Sequence, residues 1–265
     1  MRTALVLGSF LPFLYYATKD NVFHFRGRKV TLVEHLLHLA IGGALLITVA
    51  HALVGNTTVM LGGLFFFAVT GALDEYIWHR GIPEVESDLH AKEHLALLIF
   101  LVVTLVVDWL DAHGWRIPPD LLDQMRGTSE AVGGGSSLLA TVDSSGPAWL
   151  RPVVLPVGLL PYAWFGLSDN LYHFRSRRVA WPERILHVAI VVSLLTVVPH
   201  ALFGSRQVMT AGLVLFLIAR SLDEWVYHRD LAGAEVDKHA KTHFAFLLFV
   251  VICAAVDGVT QRSWI

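Results

Sequence analysis

Three pairs of side chains recur at the spacing i, i+4: Glu34 with His38, Glu75 with His79, and His90 with His94. On a helix that spacing puts both members on one face, about a turn apart. Imidazole with carboxylate, and no thiolate, is a donor set for Fe, Mn, Zn or Cu, not for an iron–sulfur cluster or a Cys-based zinc site. The same pairs return as Glu183 with His187, Glu224 with His228, and His239 with His243, each displaced by 149 residues. These twelve residues are the candidate metal ligands. Asp74, Asp223, His35, Glu86, Glu93 and Glu235 stand near them as additional ligands or as groups that steady a ligand, Asp74 being expected in the steadying role. Arg80, Lys92, Arg229 and Lys241 are positioned to hold a phosphate or carboxylate headgroup.

The displacement of 149 runs without a gap from residues 12–108 to 161–257, with about two positions in five identical. An internal repeat of this kind is the organising fact of the chain. The identities are mostly polar: DNVFHFRGRKV answers DNLYHFRSRRV, LDEYIWHR answers LDEWVYHR, and HAKEH answers HAKTH. Two departures stand out, because His35 and Glu93 become Arg184 and Thr242. Residues 1–110 and 149–265 are therefore read as two units, joined by a Gly- and Ser-rich segment, 111–148, with the composition of an exposed flexible linker.

The elements that carry these pairs are apolar enough for lipid. Hydrophobic residues make up 55% of the chain and charged ones only 16%, well below the quarter usual in soluble domains. Stretches of spanning length lie at about 32–54, 57–78, 92–110, 181–203, 206–227 and 239–258, with shorter Pro-containing ones near 3–18 and 152–167. The expected fold is an all-α integral membrane protein of eight transmembrane helices, arranged as two parallel four-helix repeats. The N-terminal MRTALVLGSFLPFLYYA has the look of a signal peptide, but Pro12 and its aromatic neighbours return around Pro161, so it is read as a retained first helix. Lys19, Arg26, Arg28, Lys29 and Arg80, with Arg175, Arg177, Arg178 and Arg229, place the loops after the first and third spans of each repeat in the cytoplasm, with both termini and the linker outside. All six pairs then fall near the cytoplasmic face. The net charge of −2 gives no sign of nucleic-acid binding, and the single Cys253 lies within a span.

Helix-borne carboxylates and histidines projecting into a bundle are how di-iron and di-manganese proteins hold their metals, though there the usual pairing is Glu-x-x-His. Six or more candidate donors per repeat suit two ions better than one, which makes iron the preferred metal, with zinc or manganese as alternatives. The many histidines at helix ends resemble those of the integral-membrane histidine-box oxygenases and desaturases, but EHLLH, DEYIWH and HAKEH carry carboxylates where those families carry further histidines. The leading expectation is oxidative chemistry on a lipophilic small molecule, with an electron-donor protein as a further partner beside the bilayer. A zinc-dependent lipid hydrolase, with Glu75 or Glu93 as base, is the nearest enzymatic alternative. A metal or proton transporter fits less well, because the span centres AIGGALLIT, LGGLFFFAV and LALLIFLVV are almost wholly apolar. Haem-b electron transfer would need His38 and His51 on one helix face, and thirteen residues leave them about 140° apart. His24 and His173, in the basic segments HFRGR and HFRSR, are expected to meet carbonyls, water or headgroups. At the outer ends, His51 with Asp108 and His200 with Asp257 are expected as structural contacts.

Overall fold

A run such as LLHLAIGGALLITVAHALV can satisfy its backbone polar groups in an apolar setting only by closing them on itself as a helix. The computed structural model describes residues 2–27, 30–54, 57–79, 82–112, 150–176, 179–203, 205–228 and 234–259, and among them every regular element is helical. We number the helices α1 (Arg2–Gly27), α2 (Leu32–Val54), α3 (Thr57–Leu73), α4 (Glu84–Ala112), α5 (Leu150–Ser176), α6 (Trp181–Leu202), α7 (Arg206–Leu222) and α8 (Ala234–Val259). Most of the 111–148 segment, and with it the linker reading, lies outside the described residues.

Among the described residues, six stretches are long and apolar enough to cross a membrane: Leu32–Leu53, Val59–Trp78, Glu84–Val107, Leu150–His173, Trp181–Leu202 and Glu235–Asp257. Two of the eight expected spans, α1 and α7, are not among them. At 26 residues α1 has the length, but its second half carries Thr18, Lys19, Asp20 and Asn21. Helix α7 has 17 residues and carries Arg220 in its last turn. Large apolar side chains such as Leu39, Leu46, Phe65, Trp164, Val188 and Leu195 face outward, the surface of a protein made for lipid.

Helices α4 and α8 are the most buried spans and pack on each other at the centre of the bundle. Along α4 lies α1, along α8 lies α5, and the pairs α2–α3 and α6–α7 pack outside them. The contacts across the centre are reciprocal. His94 Nδ1 donates to Ala240 O at 3.4 Å, and His243 Nδ1 donates to Ala91 O at 2.8 Å. Tyr76 stacks on Phe165, and Trp225 stacks on Tyr16 while donating to its hydroxyl at 2.8 Å. In each case the partners of one contact lie 149 residues from those of the other.

Helices α1, α4, α5 and α8 extend beyond their apolar stretches. α1 runs on to Gly27 and α5 to Ser176, through the segments read as basic loops, while α4 and α8 begin at Glu84 and Ala234. This is what carries polar side chains into the helical bundle at one end. At the other end Arg151 donates to Asp257 Oδ1 at 2.5 Å and to Ala201 O, and His200 Nδ1 accepts the Ser205 N–H at 3.0 Å. Arg151 is thus one partner of Asp257, for which the sequence suggests His200. The Asp108 side chain lies outside the described residues.

Candidate metal centre

Four helices, not three, build the cluster of the first half. The fourth is α1, whose last turns bring Asp20 and His24 into the group, both buried. His24 Nδ1 donates to Glu86 Oε1 at 2.6 Å, and its Nε2 faces Glu34 Oε1 at 3.3 Å. A histidine whose one ring nitrogen is fixed by a carboxylate presents the other nitrogen as a ligand, the arrangement that orients metal-binding imidazoles. His24 is therefore no headgroup contact, and Glu86 is the residue that aims it.

The end of α3 is the second departure from expectation. Residues Asp74–Trp78 form a π-turn, closed by His79 N–H donating to Asp74 O at 2.9 Å. Widening the turn moves the side chain that shares a face with His79 from i−4 toward i−5, so Asp74 comes into the cluster beside Glu75. Asp74 Oδ2 lies 3.1 Å from His38 Nε2 and 3.4 Å from His79 Nε2. It sits among the histidines themselves, not behind them. Such single π-turns persist mainly at functional sites.

Ligand atoms of His24, His38 and His79 lie within 4.8 Å of one another, with Glu34 and Asp74 between them. A second group, Glu75, His90 and His94, meets the same limit beside the first. His79 joins the two: its ring centroid is 4.5 Å from that of His90, and its Nδ1 is 3.8 Å from Glu75 Oε2. Glu34 also caps α2, accepting the Thr31 N–H while Thr31 Oγ1 accepts the Glu34 N–H, both at 3.3 Å. The cap holds this carboxylate to the start of its helix.

Against these two groups lies a cavity of about 170 Å³ lined by Asp20, His38, Asp74, Glu75, Glu93, His90 and His94 on its polar side. Phe13, Ile41, Leu45, Phe67, Gly71 and Phe244 form its apolar side. Helices α1 and α2 barely touch, and the cavity lies in the cleft between them, with exposed Asn21 and Gly42 at its edge. Buried atoms facing this region, Asp20 Oδ1, Asp74 Oδ1, Glu75 Oε2, His38 Nδ1 and His90 Nε2, make no hydrogen bond. Buried polar atoms seldom remain so without an ion or water to satisfy them.

The second half repeats the first group. Ligand atoms of His173, His187 and His228 lie within 4.8 Å of one another. His173 Nδ1 donates to Glu235 Oε1 at 2.5 Å, and its Nε2 is 3.1 Å from Glu183 Oε1. A π-turn, Asp223–Tyr227, again brings its aspartate beside the histidine, His228 Nε2 being 3.4 Å from Asp223 Oδ1. The second group, Glu224, His239 and His243, is different, because Arg220 enters it. Its guanidinium donates to His243 Nε2 and Asp223 Oδ2, each at 2.7 Å, and lies 3.2 Å from His239 Nδ1.

Other candidates fall outside these groups. His35 is exposed and stacks on Phe25, and its counterpart Arg184 donates to Val179 O. Lys92 and Lys241 each bind an aspartate one turn back, Asp88 and Asp237, and Lys92 also approaches Glu224 at 3.9 Å. Arg80 and Arg229 lie outside the described residues. Asp20, His24 and Arg220 are absent from the ligands expected from the sequence, where His24 reads as a carbonyl, water or headgroup contact. The first two stand at the same i, i+4 spacing as the other pairs and repeat as Asp169 and His173.

The outer-shell arrangement carries its own test. Replacing Glu86 by Gln keeps an acceptor for His24 but removes its charge, and metal affinity is expected to fall about tenfold, the lower end for such partners. Competitive titration against a chelator of known affinity measures it, and an unchanged affinity would separate Glu86 from the metal. No protein-family model, no curated protein and no solved structure matches this chain, so the four-helix cluster itself is what speaks for its function.

Proposed function

We propose that the chain is a membrane-embedded, non-haem metalloprotein of eight spans in two parallel four-helix repeats. Its first-half cluster holds two transition-metal ions, iron preferred, near the cytoplasmic face, and acts oxidatively on a lipophilic substrate. One observation carries this reading. Asp20, Asp74, Glu75 and Glu93 converge with three histidines on one cavity, and no Lys or Arg is among the described residues that line it. Grouping carboxylates in an apolar surrounding is costly unless cations are supplied. The mixed N/O donor set, with more donors than the three or four a single zinc takes, supports a pair of ions with open positions.

Bound there, the metals would supply the redox capacity that no side chain in the cluster has. The protein's own part follows from its residues. Glu86 holds the His24 proton at Nδ1, and Ala240 O accepts that of His94, so both rings keep Nε2 for the cluster. Phe13, Ile41, Leu45 and Phe67 make one wall of the cavity water-poor. A volume of about 170 Å³ is close to that of engineered apolar cavities that admit benzene, ~150 Å³. It takes the reacting end of a substrate, a ring or the tip of an acyl chain, while the rest lies in the cleft between α1 and α2.

The test is to purify the full chain in detergent, quantify its metals and record its optical spectrum. Stoichiometric iron with near-UV charge-transfer bands supports the proposal. Stoichiometric zinc turns it toward a hydrolase with Glu93 as base, a Soret band toward haem, and a metal-free protein overturns it.

A further inference from the structure

The position 149 residues before Arg220 is Gly71, on the apolar side of the first-half cavity. The two clusters thus differ at their centre: one has a buried guanidinium where the other has no side chain at all. The surroundings change with it. The void around Arg220 is lined by Tyr162, Phe216, Thr242, His243 and Leu95, the counterparts of Phe13, Phe67, Glu93, His94 and Phe244, and it has no room for a water molecule.

The histidines register the same difference. His239 Nδ1 is 3.1 Å from Asp169 Oδ2 and its Nε2 is 2.7 Å from Glu224 Oε2. In the first half the His90 ring is turned over, with Nε2 3.4 Å from Asp20 Oδ1 and Nδ1 3.6 Å from Glu75 Oε2, and Nε2 makes no hydrogen bond. The second cluster is closed around a fixed cation, and the first is open. The replacement of Glu93 by Thr242 fits as well, since a guanidinium brings one positive charge where a divalent ion brings two and so needs one carboxylate fewer.

We infer that the guanidinium of Arg220 holds, in the second half, the position that a divalent transition-metal ion takes beside Glu75, His90 and His94 in the first. This rests on the proposed metal binding and adds to it an unequal distribution. The first half binds two ions. The second binds one, at His173, His187 and His228, and the void around Arg220 leaves no room for a substrate beside it. The Nε–H of Arg220, pointing at the Nε2 of His243, marks where the absent ion would sit.

Matched substitutions test this. His90→Gln and His239→Gln are the same change 149 residues apart, and metal per chain is read by mass spectrometry on purified, monodisperse protein. The expected result is the loss of one metal equivalent with His90→Gln and of none with His239→Gln. Arg220→Gly combined with Thr242→Glu, which copies the first half, is expected to gain one equivalent when dialysed against the metal found in the wild type. Equal losses from both histidine variants, or no gain in the copied site, would overturn the inference while leaving the proposed function intact. A wild type free of metal would instead overturn the function.

Discussion

Replacing His79 by alanine is expected to empty the first half of metal, a larger effect than any other single truncation in the cluster. Its Nε2 stands 3.4 Å from Asp74 and 3.7 Å from Glu34, among the first group of donors, and its Nδ1 stands 3.8 Å from Glu75, in the second. Its ring is also the one buried between those of His24 and His90, with centroids 5.5 and 4.5 Å away. Removing it takes an imidazole from one ion and unseats the carboxylate beside the other. The loss of affinity should exceed the roughly 10- to 100-fold that follows from altering an outer-shell partner. The fold should survive, because α3 is anchored by buried Met60, Leu64 and Ala68, none of them among the residues that line the cavity. Metal content, monodispersity on size exclusion and helical circular dichroism give the three readouts. A variant that is well folded and keeps all its metal would remove His79 from the ligand set. Where metal binds only the folded protein it also stabilises it, by RT ln(1 + [L]/Kd). The metal-dependent rise in Tm should therefore shrink in His79→Ala, and by a smaller amount in the Glu86→Gln variant.

How far the cluster can be read from sequence depends on which physical variable carries each residue. Glu34, His38, His90 and His94 are legible because helical periodicity fixes their common face and the repeat marks them as retained. Asp20 and His24 carry the same two signals, but the basic run HFRGR reads as a loop. Whether a helix continues past an apolar stretch is decided by what it packs on, here α4 and its buried Glu86, and that is a tertiary fact. The π-turns are not legible at all. A shift from i−4 to i−5 bonding changes no residue, yet it puts Asp74 and Asp223 among the histidines. Six helices advertise their lipid setting plainly, while α1 and α7 dilute theirs with the polar residues that serve the clusters. Of the breaks in the repeat, His35 to Arg184 falls on an outer face and Glu93 to Thr242 on the cavity, a distinction that needs the packing. Gly71 to Arg220 is visible in the sequence as one more mismatch in an apolar run, and only the neighbours of that position give it meaning.

That mismatch also allows the first half to be converted into the second. Gly71→Arg alone would collide with the core, because a Cβ at Gly71 would lie 3.1 Å from the Phe244 ring. The counterpart of Phe244 is Leu95, which lines the void around Arg220, so the pair Gly71→Arg with Phe244→Leu copies a solution the protein already uses. The introduced guanidinium would lie against Asp20, Asp74 and His94, as Arg220 lies against Asp169, Asp223 and His243. Occupancy of that position by a fixed cation excludes a divalent ion by charge and by volume, and it fills the cavity as well. The expected result is the loss of one metal equivalent and of any spectroscopic signature of a coupled pair, with helicity retained. Tm in the absence of metal should rise above the wild-type value, since a resident cation then balances carboxylates that otherwise depend on a bound ion. Gly71→Ala with Phe244→Leu serves as the control, because it adds a methyl group and no charge and should keep both ions. If the arginine variant folds and still binds as much metal as the control, a guanidinium at this position does not stand in for an ion, and the asymmetry of the two halves would need another cause.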